Sequence, residues 1–127
     1  MKYLLDTNIL INHLRGKKRI DKTIIKSGVA ISIITWAELI YGAYKSTNNK
    51  KSLAIIKTLI DDLQITILSL NEKVVFQYAE IKVKLEKSGK TLDDFDLLIA
   101  ATAIVNNIAL ITHNIKHFRR VSKLKVY

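Results

Sequence analysis

YLLDTNILI, residues Tyr3–Ile11, sets three apolar or aromatic residues against an acid, a hydroxyl and an amide, and then resumes with apolar ones. Tyr3-Leu4-Leu5 reads as a short buried strand ending at Asp6. Asn8–Leu14, with Ile9, Leu10 and Leu14 apolar, reads as a helix. A strand that passes into a helix opens an alternating α/β chain, and the residues at the junction lie at the carboxyl end of that strand.

The pattern continues outward from this unit. Gly16 and the basic run after it break the helix, and a short helix over Ile20–Lys26 ends near Gly28. Val29–Ile33 is a second strand, after which Thr35 is placed to cap a helix reaching Tyr44. Ser46–Lys51 reads as a polar turn. Leu53, Ile56, Leu59, Ile60 and Leu63 recur at helical spacing. Ile65–Leu68 is a third strand, Val74–Leu85 an amphipathic helix and Ser88-Gly89-Lys90 a loop. The most apolar helix starts at Phe95 or Asp96 and runs to Val105. Ala109–Ile111 is a fourth strand, with Leu124–Val126 as a candidate fifth. Short strands separated by helices define an α/β layer fold with a mainly parallel sheet. With no proline, linker or repeat, the expectation is one domain over residues 1–127.

Composition narrows the function classes. At 49% hydrophobic residues the chain is not a disordered one. Its apolar runs fall short of the roughly 20 residues a spanning helix needs, and no secretory leader is evident, so a cytoplasmic location without membrane contact is expected. Without cysteine there is neither disulfide nor thiolate chemistry. Twenty-one Lys+Arg against eleven Asp+Glu leave a net charge of +10, a balance that favours polyanionic partners. Basic residues gather in Arg15–Lys26 and again after Asp96, beyond which no acid follows.

In so basic a chain, acids at the edges of apolar segments stand out. Asp6 follows the first strand, where it serves as a helix cap or a metal ligand. Glu38, in ITWAEL, stands three residues after Thr35. That is the spacing of a capping box, but Trp36, Leu39 and Ile40 turn the helix toward the core and bring Glu38 to a buried edge. Asp93, Asp94 and Asp96 form the densest acidic cluster, and Thr91 with Asp94 has capping-box spacing as well. Asp96 directly precedes the most apolar helix, so it is expected to point into a crevice. Carboxylates converging from three elements repel one another unless protonated or joined by a cation. Oxygen-only ligands without cysteine indicate Mg2+ or Mn2+. Thr112 and Asn114 follow the fourth strand, either as an ordinary turn or as groups that orient a water or a phosphate. If the first and fourth strands are adjacent and parallel, Asp6 and Thr112-His113-Asn114 open into one crevice. His113 is the one histidine near that crevice. His13 and His117 read as surface or phosphate contacts, and Tyr41 and Tyr44 as core or groove residues, core being the safer reading. Acids around a divalent cation in a basic protein suit phosphodiester hydrolysis, with an unpaired RNA strand the better fit to a small open crevice.

These motifs together resemble a PIN-domain ribonuclease, specifically the VapC-type toxin of a toxin–antitoxin pair. The resemblance covers nearly the whole chain. Asp6-Thr7-Asn8 within LLDTNILI matches the first acidic motif, Glu38 the second and Asp96 in FDLLIAATA the third. Asp94 sits where many members carry an additional acid. Ile111-Thr112-His113-Asn114 followed by Phe118 resembles the closing motif. The resemblance implies a three-layer α/β/α sandwich and a Mg2+- or Mn2+-dependent endoribonuclease acting on tRNA or ribosomal RNA. It implies Asp6, Glu38 and Asp96 as metal ligands and, with Asp94, as the catalytic acids. Thr7, Asn8, Thr112 and Asn114 would support them. It further implies a homodimer, and a small cognate antitoxin through which the toxin reaches promoter DNA. Two other readings stay open: a housekeeping RNA-processing nuclease, and a basic nucleic-acid-binding module without catalysis.

Overall fold

The computed structural model describes residues 1–127. Four strands form one parallel sheet in the order β3-β2-β1-β4: β1 Tyr3–Leu5, β2 Val29–Ser32, β3 Thr66–Leu68 and β4 Ala109–Ile111. The helices are α1 Thr7–Leu14, α2 Lys22–Lys26, α3 Ile33–Lys45, α4 Asn49–Asp62, α5 Glu72–Lys87, α6 Asp94–Val105 and α7 Ile115–Phe118. The candidate fifth strand is reduced to a single bridge between Val126 and Leu110.

Side-chain alternation along the strands builds two cores. Leu4, Ala30 and Leu110 face one layer, with Ile81 and Leu85 of α5 and Leu97, Ile99 and Ala100 of α6. Their neighbours Leu5, Val29, Ile31 and Ile111 face the other, with Leu10 of α1, Leu39 and Ala43 of α3, and Ile56 and Leu59 of α4. Period-two alternation thus places helices on both faces of the sheet, the expected α/β/α sandwich. No helix is long and apolar enough to cross a membrane.

The register carries the site. Leu4 pairs with Leu110 and Leu5 with Ile111, so the residues after β1 and β4 leave the sheet side by side. The sheet extends from β1 through β2 and β3 in one direction and to β4 in the other. β1 is therefore where the strand order reverses, and open α/β sheets leave a crevice at the carboxyl ends of the strands beside such a point.

Helix starts differ from expectation in informative ways. β2 ends at Ser32, whose hydroxyl accepts from the Ile34 N–H at 2.9 Å. Thr35 is therefore not the cap of α3: it lies inside the first turn, fully buried. The expected polar turn over 46–51 gives way to α4 from Asn49, with Asn48 accepting from the Lys51 N–H. Asn71 caps α5, which starts two residues earlier than its apolar pattern suggests.

Candidate active site

Asp6 combines both of its sequence readings. Its Oδ1 accepts from the Thr7 N–H at 2.9 Å, so it caps α1. Its Oδ2 accepts from the Thr112 hydroxyl at 2.7 Å. The backbone adds a third tie, from the Asp6 N–H to the Ile111 carbonyl at 2.9 Å. Only 8% of Asp6 is exposed, yet each carboxylate oxygen engages one donor and keeps a lone pair free.

Glu38 is not part of a capping box. Its Oε1 accepts from the Thr7 hydroxyl at 2.6 Å, and the Thr7 and Thr35 hydroxyls lie 3.2 Å apart. A hydroxyl has one proton, and the short charge-assisted bond to Glu38 claims Thr7's. Thr7 therefore links the start of α1 to α3 and fixes the position of Glu38 relative to Asp6.

Asp96 stands in the first turn of α6, half-buried, with neither a protein donor nor a cation on its carboxylate. Burial, followed by the charges of Asp6, Asp93 and Glu38, pushes its pKa up to about 6; His117 acts in the opposite sense. Asp6, Glu38 and Asp96 line one open crevice of about 890 Å³, with Thr7 and Asn8 on one side and Asn114 on another.

Two of the expected site residues take other places. Asp94 does not line the crevice. Its Oδ1 accepts from the Tyr78 hydroxyl and from the Lys82 ammonium, both at 2.8 Å, which ties the start of α6 to α5. The Lys82 ammonium, and after it the Tyr78 hydroxyl, hold the Asp94 carboxyl below its usual range. The capping box between Thr91 and Asp94 is thereby excluded. Asp93 occupies the N-cap position without a side-chain bond. Thr112 is buried behind the crevice rather than on its wall, where its hydroxyl donates to Asp6 and accepts from the Asn114 N–H at 2.9 Å. Asn114 turns its amide oxygen to the His117 ring.

The crevice wall also holds aromatic residues. Of the two readings open for Tyr41, core and groove, the second holds: it is 65% exposed and lines the crevice; Tyr44 is exposed as well. Tyr41 follows Glu38 by three positions, which on a helix is the same face, so the signal was present. Phe95, 52% exposed, lines the crevice beside Asp96. His13, expected at the surface, is buried, and its Nδ1 accepts from the Ile20 N–H at 2.9 Å.

The acids of the crevice, Asp6, Glu38 and Asp96, offer carboxylate oxygen, the chemistry of a hard divalent cation, and His113 is the one imidazole on the same wall. Asp96, unpaired and raised by its acidic neighbours, is the group such a cation would relieve. The acids border the crevice without closing on one point, and no three of them stand close enough together to hold an ion in this conformation. The residues thus fit a divalent cation by their chemistry and by the side of the crevice they share.

A parallel α/β sandwich with three carboxylates at its strand-reversal crevice defines a class of small acid-site domains. Comparison with known proteins narrows the class. Residues 3–124 match the model of the PIN domain. The chain is 35% identical to Ribonuclease VapC1 of Haemophilus influenzae, over 98% of this chain and 96% of that one. It is 30% identical to the tRNA(fMet)-specific endonuclease VapC of Shigella flexneri, over 98% and 96% of the two chains. Its fold superimposes with a TM-score of 0.90 on a chain of Rickettsia felis VapBC2 bound to a promoter DNA fragment, at 31% identity, covering 100% of this chain and 98% of that one. The chain belongs to the PIN-domain family and, within it, to the VapC-type ribonuclease toxins of toxin–antitoxin systems.

Proposed function

We propose that this protein is a divalent-metal-dependent endoribonuclease and the toxin of a toxin–antitoxin pair, with a structured RNA, a tRNA or ribosomal RNA, as substrate. The observation that carries the reading is the meeting of Asp6, Glu38 and Asp96, from three separate elements, on one crevice in which Asp96 has no partner. In this reading those three residues hold Mg2+ or Mn2+. The bound cation supplies charge compensation at the phosphate and activation of the attacking water. Thr7 and Thr112 act as positioning residues, since each donates to a carboxylate of the set and fixes which lone pairs face the crevice. Asn8 and Asn114 stand on the rim and offer amide groups to a phosphate or a water. Tyr41 and Phe95 expose aromatic surface on the same walls, suited to stacking an unpaired base. Asp94 serves by anchoring the first turn of α6, which carries Asp96, and not as a catalytic acid.

The partner assignment rests on likeness. The Rickettsia felis neighbour is a VapBC complex on promoter DNA, so a small antitoxin is the partner proposed here, with promoter contact made through it. A homodimer and a cytoplasmic location belong to the same reading. The test is induction of wild type and Asp96→Asn in bacteria, followed by mapping of RNA 5′ ends. Discrete new ends with wild type alone are expected. Equal cleavage by purified Asp96→Asn with metal supplied would overturn the proposal.

A further inference from the structure

A second concavity, of about 180 Å³, lies between α5 and the segment 120–123. Its floor is the buried apolar trio Ile81, Leu85 and Val121. Gln77 and Lys84 rise from one face of α5, seven residues apart, and Ser88 stands at its C-cap four residues on. Arg120, Ser122 and Lys123 close the other side. Glu80 is the one acid present, and Lys123 engages it at 3.0 Å.

Donors are in surplus here. The Gln77 amide nitrogen is buried and has no acceptor. The Ser88 hydroxyl gives its proton to the Leu85 carbonyl, and Lys84 already approaches the Ser122 oxygen, at 3.4 Å. Three cations stand against a single, already paired carboxylate. A buried amide donor without a partner is unfavourable, and what would satisfy it beside cations is a compact oxyanion that accepts several bonds at once. The volume is below the roughly 300 Å³ at which drug-sized pockets begin, so it suits one phosphate group and not a folded element of a partner.

One hydrogen bond ties the groove to the segment that precedes α6. Arg120 donates from Nη1 to the Thr91 carbonyl at 2.9 Å, in the segment that leads into α6 and so to Asp96. We propose that the groove between α5 and residues 120–123 is a phosphate site that holds the backbone of the RNA substrate outside the cleavage crevice, with Lys84, Arg120 and the Gln77 amide as its donors. The inference rests on the ribonuclease reading and adds to it a second point of hold on the strand.

The test measures binding of a labelled single-stranded RNA in the Asp96→Asn background. Lys84 is exposed, so Lys84→Glu is expected to fold normally. It should lower affinity on the order of tenfold and flatten the log–log salt dependence by about 0.7, the share of one lost phosphate contact. Lys50→Glu, at an exposed position in the first turn of α4, makes the same change of net charge; equal weakening by both variants overturns the groove. The Gln77 side-chain amide resonance is expected to shift when RNA is added, and Gln77→Met is expected to weaken RNA binding as Lys84→Glu does. A shift with inorganic phosphate but none with RNA assigns the site to free phosphate and overturns the proposal. Wild type that binds through the groove but cleaves nothing leaves the groove standing and removes the nuclease reading. Normal cleavage with equal binding by the two lysine variants does the reverse.

Discussion

Thr112 and Asp6, 106 positions apart in the chain, are joined by a 2.7 Å hydrogen bond across the boundary between β1 and β4. The bond is buried and one partner is a carboxylate, the stronger kind of hydrogen bond. Thr112→Val keeps the shape and removes the donor. It is expected to cost about 1.5–3 kcal/mol of stability, the usual worth of a hydrogen bond to a charged group. Thr112→Ser should recover most of that. Urea denaturation of the metal-free protein measures both. Equal midpoints for valine and threonine would show that Asp6 finds another donor and that the bond positions nothing.

Asp96 makes the stability of the metal-free protein fall as pH rises. Its folded pKa of about 6 lies above the ordinary carboxylate value of 3.8, so between those values the folded state binds more protons than the unfolded chain. The stability this confers is full below about pH 3.8 and is lost as pH rises through about 6. Asp96→Asn is expected to flatten that part of the profile and to be more stable than wild type at pH 7 without metal. Added Mg2+ should stabilise wild type more at pH 7 than at pH 5 and leave the variant nearly unmoved. Parallel wild-type and Asp96→Asn profiles, measured in chelator, would remove the electrostatic account.

Much of this site could be read in the chain because its acids stand at strand ends and helix starts, and apolar periodicity locates those junctions. Asp6 after Tyr3-Leu4-Leu5 and Thr112 after Ala109-Leu110-Ile111 needed only parallel pairing to become neighbours. Other features depend on contacts that spacing does not encode. Thr35 and Glu38 have capping-box spacing, but Ser32 captures the helix start and frees Glu38 for Thr7, 31 positions away. Asp94 and Asp96 look alike as letters. Two positions on a helix turn by about 200°, so one faces the crevice while the other faces Tyr78 and Lys82. The burial of His13 follows from a loop folding back onto α1, for which hydrophobic pattern gives no sign.

His13 works in the sense opposite to Asp96. Its Nδ1 accepts the Ile20 N–H and closes the basic segment 15–20 onto α1. That requires a neutral ring protonated at Nε2. Burial, and then the Arg19 charge, lower its pKa from 6.5. Below pH 6.5 the unfolded chain therefore takes up the proton first, and the stability present at neutral pH is lost as pH falls through the depressed folded value. Hydrogen exchange at the Ile20 amide is expected to speed up on acidification ahead of the strand amides. His13→Gln, whose amide oxygen can accept the same N–H, should remove that acid sensitivity. Ile20 protection that tracks the strand amides across the range would show that the loop is not held by this bond.

Asp94 and Asp96 separate anchoring from chemistry. The Asp94 carboxylate and the Lys82 ammonium meet in partly exposed positions, 57% and 38% exposed. Salt screens such a pair and its net worth is small. Asp94→Asn keeps an oxygen for the Tyr78 hydroxyl and is expected to leave RNA cleavage close to wild type, with a slight loss of stability that fades as salt is raised. Asp96→Asn, isosteric and two residues on, is expected to abolish cleavage with no loss of fold. The comparison uses one RNA substrate, saturating Mg2+ and matched circular dichroism for the two proteins. If Asp94→Asn abolishes cleavage as completely as Asp96→Asn, the acid belongs to the reacting set. The start of α6 would then have to turn Asp94 away from Lys82 and into the crevice when RNA binds.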